Sequence, residues 1–187
     1  MTRVALLGGS FNPPHVGHLM AALYVRATRA VDAVWLVPAF NHPFGKDLAP
    51  FDDRVTMCEL MAQDCGPWLQ VSRAESQVQG EGRTIELLEW LLPRHPDTRF
   101  EFVIGSDILA DLPKWKAWDR IVSLVDVVVL YRAGYPASEA IGPPVAEISS
   151  TEIRERLAAG QRPDALVSRR VLDFIEARGL RWATTPG

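Results

Sequence analysis

The chain predicts an α/β fold built on a mostly parallel, doubly wound sheet and closed by C-terminal helices. Three observations carry this. Short apolar runs recur at 3–7 (RVALL), 33–37 (AVWLV), 68–72 (WLQVS), 100–104 (FEFVI) and 126–131 (DVVVLY), with a weaker one at 145–148 (VAEI). The runs are continuous rather than alternating, as strands are when helices cover both faces of their sheet. Helical patterns separate them, and strand–helix alternation of this kind folds into a parallel sheet with right-handed crossovers.

Each element follows in order. The first helix, 16–30, opens near His15 or Val16 and carries Leu19, Met20, Leu23, Tyr24 and Ala27 on one apolar stripe, the pattern of a helix packed on a core. Further helices are predicted at 51–65, 84–92 and 116–124. Near the end, Ser150 or Thr151 can cap TEIRERLAAG, with Gly160 as its stop, and Ser168 can cap SRRVLDFIEARG, with Gly179 as its stop. The Pro- and Gly-containing stretches 38–50 and 133–144 read as loops inside one domain spanning 1–187, not as linkers. No repeat or low-complexity segment interrupts the pattern.

Composition narrows the function. A domain of 187 residues buries on the order of 70% of its extended-chain surface, enough for a core without staples. A net charge of −3 and a pI near 5.8 argue against a nucleic-acid or anionic-membrane binder, so any positive field must be local. No segment approaches the ~18 apolar residues of a membrane span, and the opening strand is too short for a signal-peptide core. The expectation is a soluble, cytoplasmic protein. Cys58 and Cys65 fall in one predicted helix, roughly 10 Å apart along its axis and beyond disulfide reach; they read as packed, reduced thiols. No Cys/His spacing suggests zinc, and no protein metal site is expected.

Ligands of doubly wound sheets bind beyond the carboxyl ends of the strands, which directs attention to 8–18, 38–46, 73–84, 105–115, 132–135 and 149–154. In GGSFNPPHVGHL, Gly8, Gly9 and Ser10 let the backbone approach a ligand closely. The helix start beyond them favours an anion. This is neither GxGxxG nor a P-loop. His15 and His18 share a face of the first helical turn; they suit phosphate contact, or a cap beside a half-buried ring. His42 and His95 look ordinary. Lys46 is the one cation of a Pro-rich loop after the second strand. In IGSDILADLPKW, Asp107 could cap a helix and Trp115 could stack on a flat ring or pack in the core, where Trp118 is expected. ISSTEIR gathers Ser149, Ser150 and Thr151 at a helix start with Arg154 one turn in, either an ordinary cap or an anion cradle.

The combination of GGSFNPPHVGH, IGSDILADLPKW and ISSTEIR resembles the bacterial nicotinate mononucleotide adenylyltransferases of the HxGH nucleotidyltransferase superfamily, from about residue 3 to about residue 180. The resemblance implies a Rossmann-like sheet and Mg²⁺-dependent transfer of AMP from ATP to nicotinate mononucleotide, releasing pyrophosphate, in NAD biosynthesis. It implies that His15 and His18 contact the ATP phosphates, that Gly8, Gly9, Ser10 and Phe11 line the nucleotide, and that Gly105 and Asp107 belong to the same site. It implies phosphate contacts from Ser149, Ser150, Thr151 and Arg154. Lys46 matches the family's lysine after the second strand, although Phe44 and Gly45 intervene after His42-Pro43. Thr84 and Trp115 match the mononucleotide contacts, and Arg132 a nucleotide-contacting position. Arg83 stands where the family often has tyrosine and could favour the carboxylate of nicotinate. The alternatives are a sister enzyme acting on nicotinamide mononucleotide or another phosphate acceptor, and a non-catalytic nucleotide-binding regulator. Oligomeric state is not legible.

Overall fold

The computed structural model describes residues 1–41, 48–145 and 148–182. Strands β1 (Thr2–Gly9), β2 (Ala33–Pro38), β3 (Leu69–Val71), β4 (Thr98–Gly105), β5 (Asp126–Arg132) and β6 (Ile141–Val145) form one sheet in the order β3-β2-β1-β4-β5-β6. Every neighbouring pair is parallel. The connections carry helices α1 (Val16–Thr28), α2 (Phe51–Ala62), α3 (Thr84–Leu91) and α4 (Trp118–Leu124), and the chain closes with α5 (Ser150–Ala158) and α6 (Arg169–Arg178). This is the predicted fold: strand order reverses direction at β1, so a crevice opens between the carboxyl ends of β1 and β4.

Side-chain alternation along the strands divides the core into two layers. Ala5, Leu36, Val103 and Leu130 face one side, under Ala22, Val25, Met57 and Ile175 of α1, α2 and α6. Val4, Leu6, Phe102 and Ile104 face the other, under Ile85, Leu88 and Ile121 of α3 and α4.

Several local expectations are corrected. On α1 the buried residues are Gly17, Ala22 and Val25, whereas Met20 is 44% and Leu23 55% exposed. The helix lies close to the sheet through Gly17 and Ala22, Met20 and Leu23 turn outward, and Leu19 and Tyr24 pack at the edge of the core. The last described strand runs over Ile141–Val145, mostly inside a stretch read as loop; of the expected run 145–148, positions 146 and 147 lie outside the described residues. Pro143 and Pro144 hid it, but prolines are tolerated on an edge strand, and the pairing with β5 is irregular between Leu130 and Arg132. Ser149, not Ser150 or Thr151, caps α5 by accepting the Glu152 N–H. α2 ends at Ala62, so Cys65 lies beyond it; both thiols are free. A 3₁₀ segment at Ser106–Lys114 was not anticipated. None of the helices among the described residues is long and apolar enough to cross a membrane.

Candidate active site

Just after β1 the chain makes a tight turn through Ser10 and Phe11, which adopts φ +48°. Phe11 is 1% exposed, and its ring lies where a side chain on Gly9 would go: a Cβ there would sit 3.3 Å from it. His15 then occupies the N-cap of α1. Gly17 explains the middle of the HxGH pattern, because a Cβ at that position would stand 3.0 Å from His15 Nδ1. Its absence lets the His15 ring fold over the first turn against His18, with ring centroids 3.7 Å apart.

The protonation of this pair is set by its surroundings. The His15 backbone N–H donates to His18 Nδ1 at 3.2 Å, so the neutral His18 ring carries its proton on Nε2. Burial, helped by the Arg132 guanidinium, lowers the His15 pKa to about 4. Desolvation, then His15 and Arg132, holds His18 well below its ordinary range. Both rings are neutral donors at neutral pH. His15 Nδ1 is buried without a hydrogen-bond partner among the described residues.

Two cavities meet here. One, of about 420 Å³, opens over the ends of β1, β2, β4 and β5 and is lined by Gly8, Gly9, Glu75, Thr84, Phe102, Gly105, Asp107 and Trp115 among others. The second, of about 570 Å³, lies between the starts of α1 and α5 and is lined by Phe11, His15, Ser149, Ser150, Thr151, Arg154 and Trp182 among others. Ser10, His18 and Arg132 line both. They form the seam between an aromatic-walled chamber and a polar one.

The polar chamber is held together by α5. Ser150 Oγ donates to the Pro13 carbonyl at 3.0 Å, and Arg154 donates from Nη1 to the Asn12 carbonyl at 2.9 Å and from Nη2 to Thr151 Oγ1 at 3.2 Å. The Asn12 side chain is a junction, its Oδ1 accepting from the Ala49 N–H at 3.2 Å and the Trp182 indole at 3.1 Å. In the other chamber, Trp115 packs edge-on against Phe102 and Trp118; Trp118 is half-buried rather than core. Asp107 approaches Arg132 at 3.8 Å. Gly105 leaves the Asp107 carboxylate room to lie against the backbone, since a Cβ would fall 2.2 Å from Asp107 Oδ1 and push that side chain aside.

The structure therefore brings together every sequence-predicted site residue within the described range except one. Arg83 does not line the chamber of Thr84 and Trp115; its Nε donates to Glu81 at 2.6 Å, a partner two residues away that pulls the guanidinium aside. Lys46 and His42 lie outside the described residues. His95 packs against Trp35 and Phe100, as an ordinary structural histidine does.

Sequence reasoning missed Glu75, Asn12 and Trp182. Glu75 lines the aromatic chamber, and its pKa is raised to about 6, chiefly by burial and further by Glu86, against a hydrogen bond from the Phe40 N–H. Its place after β3 was the available signal. Among the described residues no group of three or more His, Cys, Asp or Glu is placed to hold a metal.

Residues 6–156 match the cytidylyltransferase-like family model. A Myxococcus xanthus protein named "Probable nicotinate-nucleotide adenylyltransferase" is 54% identical over 178 residues, which cover 95% of this chain and 94% of that one. One of the same name from Anaeromyxobacter sp. strain K is 49% identical over 180 residues, 95% of each chain. Among solved structures, the Plasmodium falciparum nicotinic acid mononucleotide adenylyltransferase complexed with NaAD aligns with a TM-score of 0.82 at 20% identity, covering 96% of this chain and 97% of that one. That likeness establishes the Rossmann-like fold. Family model, identity and coverage together place the chain in the cytidylyltransferase-like family, among its nicotinate-nucleotide adenylyltransferases.

Proposed function

We propose that this chain transfers AMP from ATP to nicotinate mononucleotide, giving nicotinate adenine dinucleotide and pyrophosphate for NAD biosynthesis. The observation that carries this reading is the seam: Ser10, His18 and Arg132 belong to both chambers, as residues at the meeting point of two nucleotides must. The aromatic chamber, with Thr84 and Trp115, suits a pyridine mononucleotide, since a tryptophan face takes a flat ring. The polar chamber, with the capped start of α5 and Arg154, suits a triphosphate. The names of the relatives agree with this assignment. The two core layers on one sheet support reading 1–187 as a single nucleotidyltransferase domain.

The chemistry follows from charge. An oxygen of the mononucleotide phosphate attacks the α-phosphorus of ATP, and the bond from that phosphorus to the bridging oxygen of pyrophosphate breaks. The attacking phosphate, with a second pKa near ~6, is mostly ionised at neutral pH and needs no general base. The obstacle is negative charge gathered in one place. His18 and His15 supply neutral N–H donors, Arg132 and Arg154 supply cations, and Ser149, Ser150 and Thr151 supply hydroxyls and helix-start N–H groups. Catalysis is then positioning plus electrostatic stabilisation, with no covalent intermediate. Mg²⁺ bound with ATP would neutralise part of the phosphate charge.

The test is pyrophosphate release from ATP by the purified protein. Saturable release on adding nicotinate mononucleotide, with the dinucleotide as product, is expected. Release only with nicotinamide mononucleotide or phosphopantetheine, or with no acceptor tried, overturns the assignment.

A further inference from the structure

Arg54, near the start of α2, is 1% exposed and heads the fully buried side chains by size. Its Nε donates to the Ala49 carbonyl and its Nη1 to the Ser10 carbonyl, each at 2.9 Å. The Phe51 ring centroid lies 5.6 Å from its guanidinium carbon. These contacts satisfy donors but supply no negative charge.

The other buried charges are treated differently. Asp53 is paired with Arg178 at 3.0 Å, and Glu101 with Arg3 at 2.6 Å and Arg29 at 3.0 Å. Arg54 has no carboxylate partner among the described residues. Asp52, two residues before it, is paired with Arg73. The Cys58 thiol, one turn along α2, does not serve either: burial pushes its pKa well above the ordinary value, so it stays neutral. A guanidinium remains protonated in such surroundings, and an unpaired buried charge is strongly unfavourable unless something compensates it.

The compensation lies on the far side of one peptide group. Ser10, whose carbonyl Arg54 holds, lines both chambers at their seam. A buried charge acts there through a low-dielectric medium and escapes the screening that weakens surface charges. We infer that Arg54 is a positioning residue whose missing counter-ion is the bound polyphosphate. Held behind the Ser10 turn, it acts by adding positive potential to the seam without touching substrate. This rests on the assignment of the seam to nucleotide phosphates.

A residue that only clamped Ala49 to Ser10 would need the forked geometry of arginine, which lysine lacks; one acting by charge would not. Dissociation constants for ATP and AMP should therefore be measured by calorimetry on the wild type, Arg54→Lys and Arg54→Met. Arg54→Met is expected to weaken ATP about tenfold or more and AMP clearly less, because the loss scales with phosphate charge. Arg54→Lys is expected to stay within about threefold of wild type for both. Equal weakening of ATP and AMP, or a lysine variant as weak as the methionine one, overturns the inference. Should Arg54→Met not fold, a more than tenfold loss in Arg54→Lys overturns it alone. A wild type that binds neither nucleotide would instead overturn the functional assignment on which the inference rests.

Discussion

Glu75 shows what burial beside a cavity does to one carboxyl. It lines the chamber of Thr84 and Trp115 with its pKa raised to about 6 from 4.5. An acid whose folded pKa is raised binds its proton more tightly folded than unfolded. The contribution of Glu75 to stability is therefore most favourable below about 4.5 and falls as pH rises to about 6, a loss on the order of 2 kcal/mol at neutral pH. Glu75→Gln, which can keep the hydrogen bond from Phe40, should raise the melting temperature at pH 8 and flatten the stability profile between pH 4.5 and 6. It should also raise KM for the mononucleotide more than KM for ATP. Thermal unfolding against pH and steady-state kinetics check both halves; an unchanged profile would remove Glu75 from this account. His15 works in the opposite sense: with its pKa lowered to about 4, its contribution is complete above 6.5 and is lost as pH falls toward 4. The motif histidines were legible from spacing. Glu75 was not, because a lone acid in a loop acquires meaning only when folding buries it beside other groups.

Elements were legible where local rules decide them and obscure where neighbours do. Apolar runs, glycine stops and serine caps specify β1, β4, β5 and α6, and Gly179 ends α6 at φ +65° as a left-handed C-cap does. For α1, periodicity marks an apolar side but not which edge of it meets the sheet, and close packing selected Ala22 and Val25 over Met20 and Leu23. β6 was hidden by its prolines and is held by contact rather than propensity. Gly142, its second residue, has φ +89°, and a Cβ there would lie 2.6 Å from Cζ of Tyr24 on α1. Gly142→Ala should therefore destabilise the protein by about 2–3 kcal/mol, from left-handed strain and overpacking together. Adding Tyr24→Ala should recover the packing part only. Chemical denaturation of the two variants measures this, and a neutral Gly142→Ala would mean that α1 and β6 do not meet as described.

Across the whole molecule, charge is arranged in depth. Glu101, fully buried in β4, ties Arg3 of β1 to Arg29 beyond the end of α1, so that two guanidiniums compensate one buried carboxylate and join three elements. At the carboxyl edge Arg132 has, among the described residues, only the looser carboxylate contact with Asp107 at 3.8 Å, while His15 and His18 are neutral donors. An acidic chain thus places the Arg132 and Arg154 guanidiniums where the strands end, beside the carboxyls of Asp107 and Glu75. The strand-end windows found that edge in the sequence because topology fixes where it lies. They could not show that Arg83 turns to Glu81, nor that two chambers share Ser10, His18 and Arg132, since both depend on side-chain directions set by distant segments. The claim that adenylyl transfer occurs at this seam is tested most directly by kcat of His18→Ala at saturating ATP and nicotinate mononucleotide. A fall of roughly 10²–10³, the scale of removing one transition-state donor, is expected, with the melting temperature close to wild type. Near-normal turnover in a folded variant would contradict the claim and leave His18 as a packing residue beside Phe11.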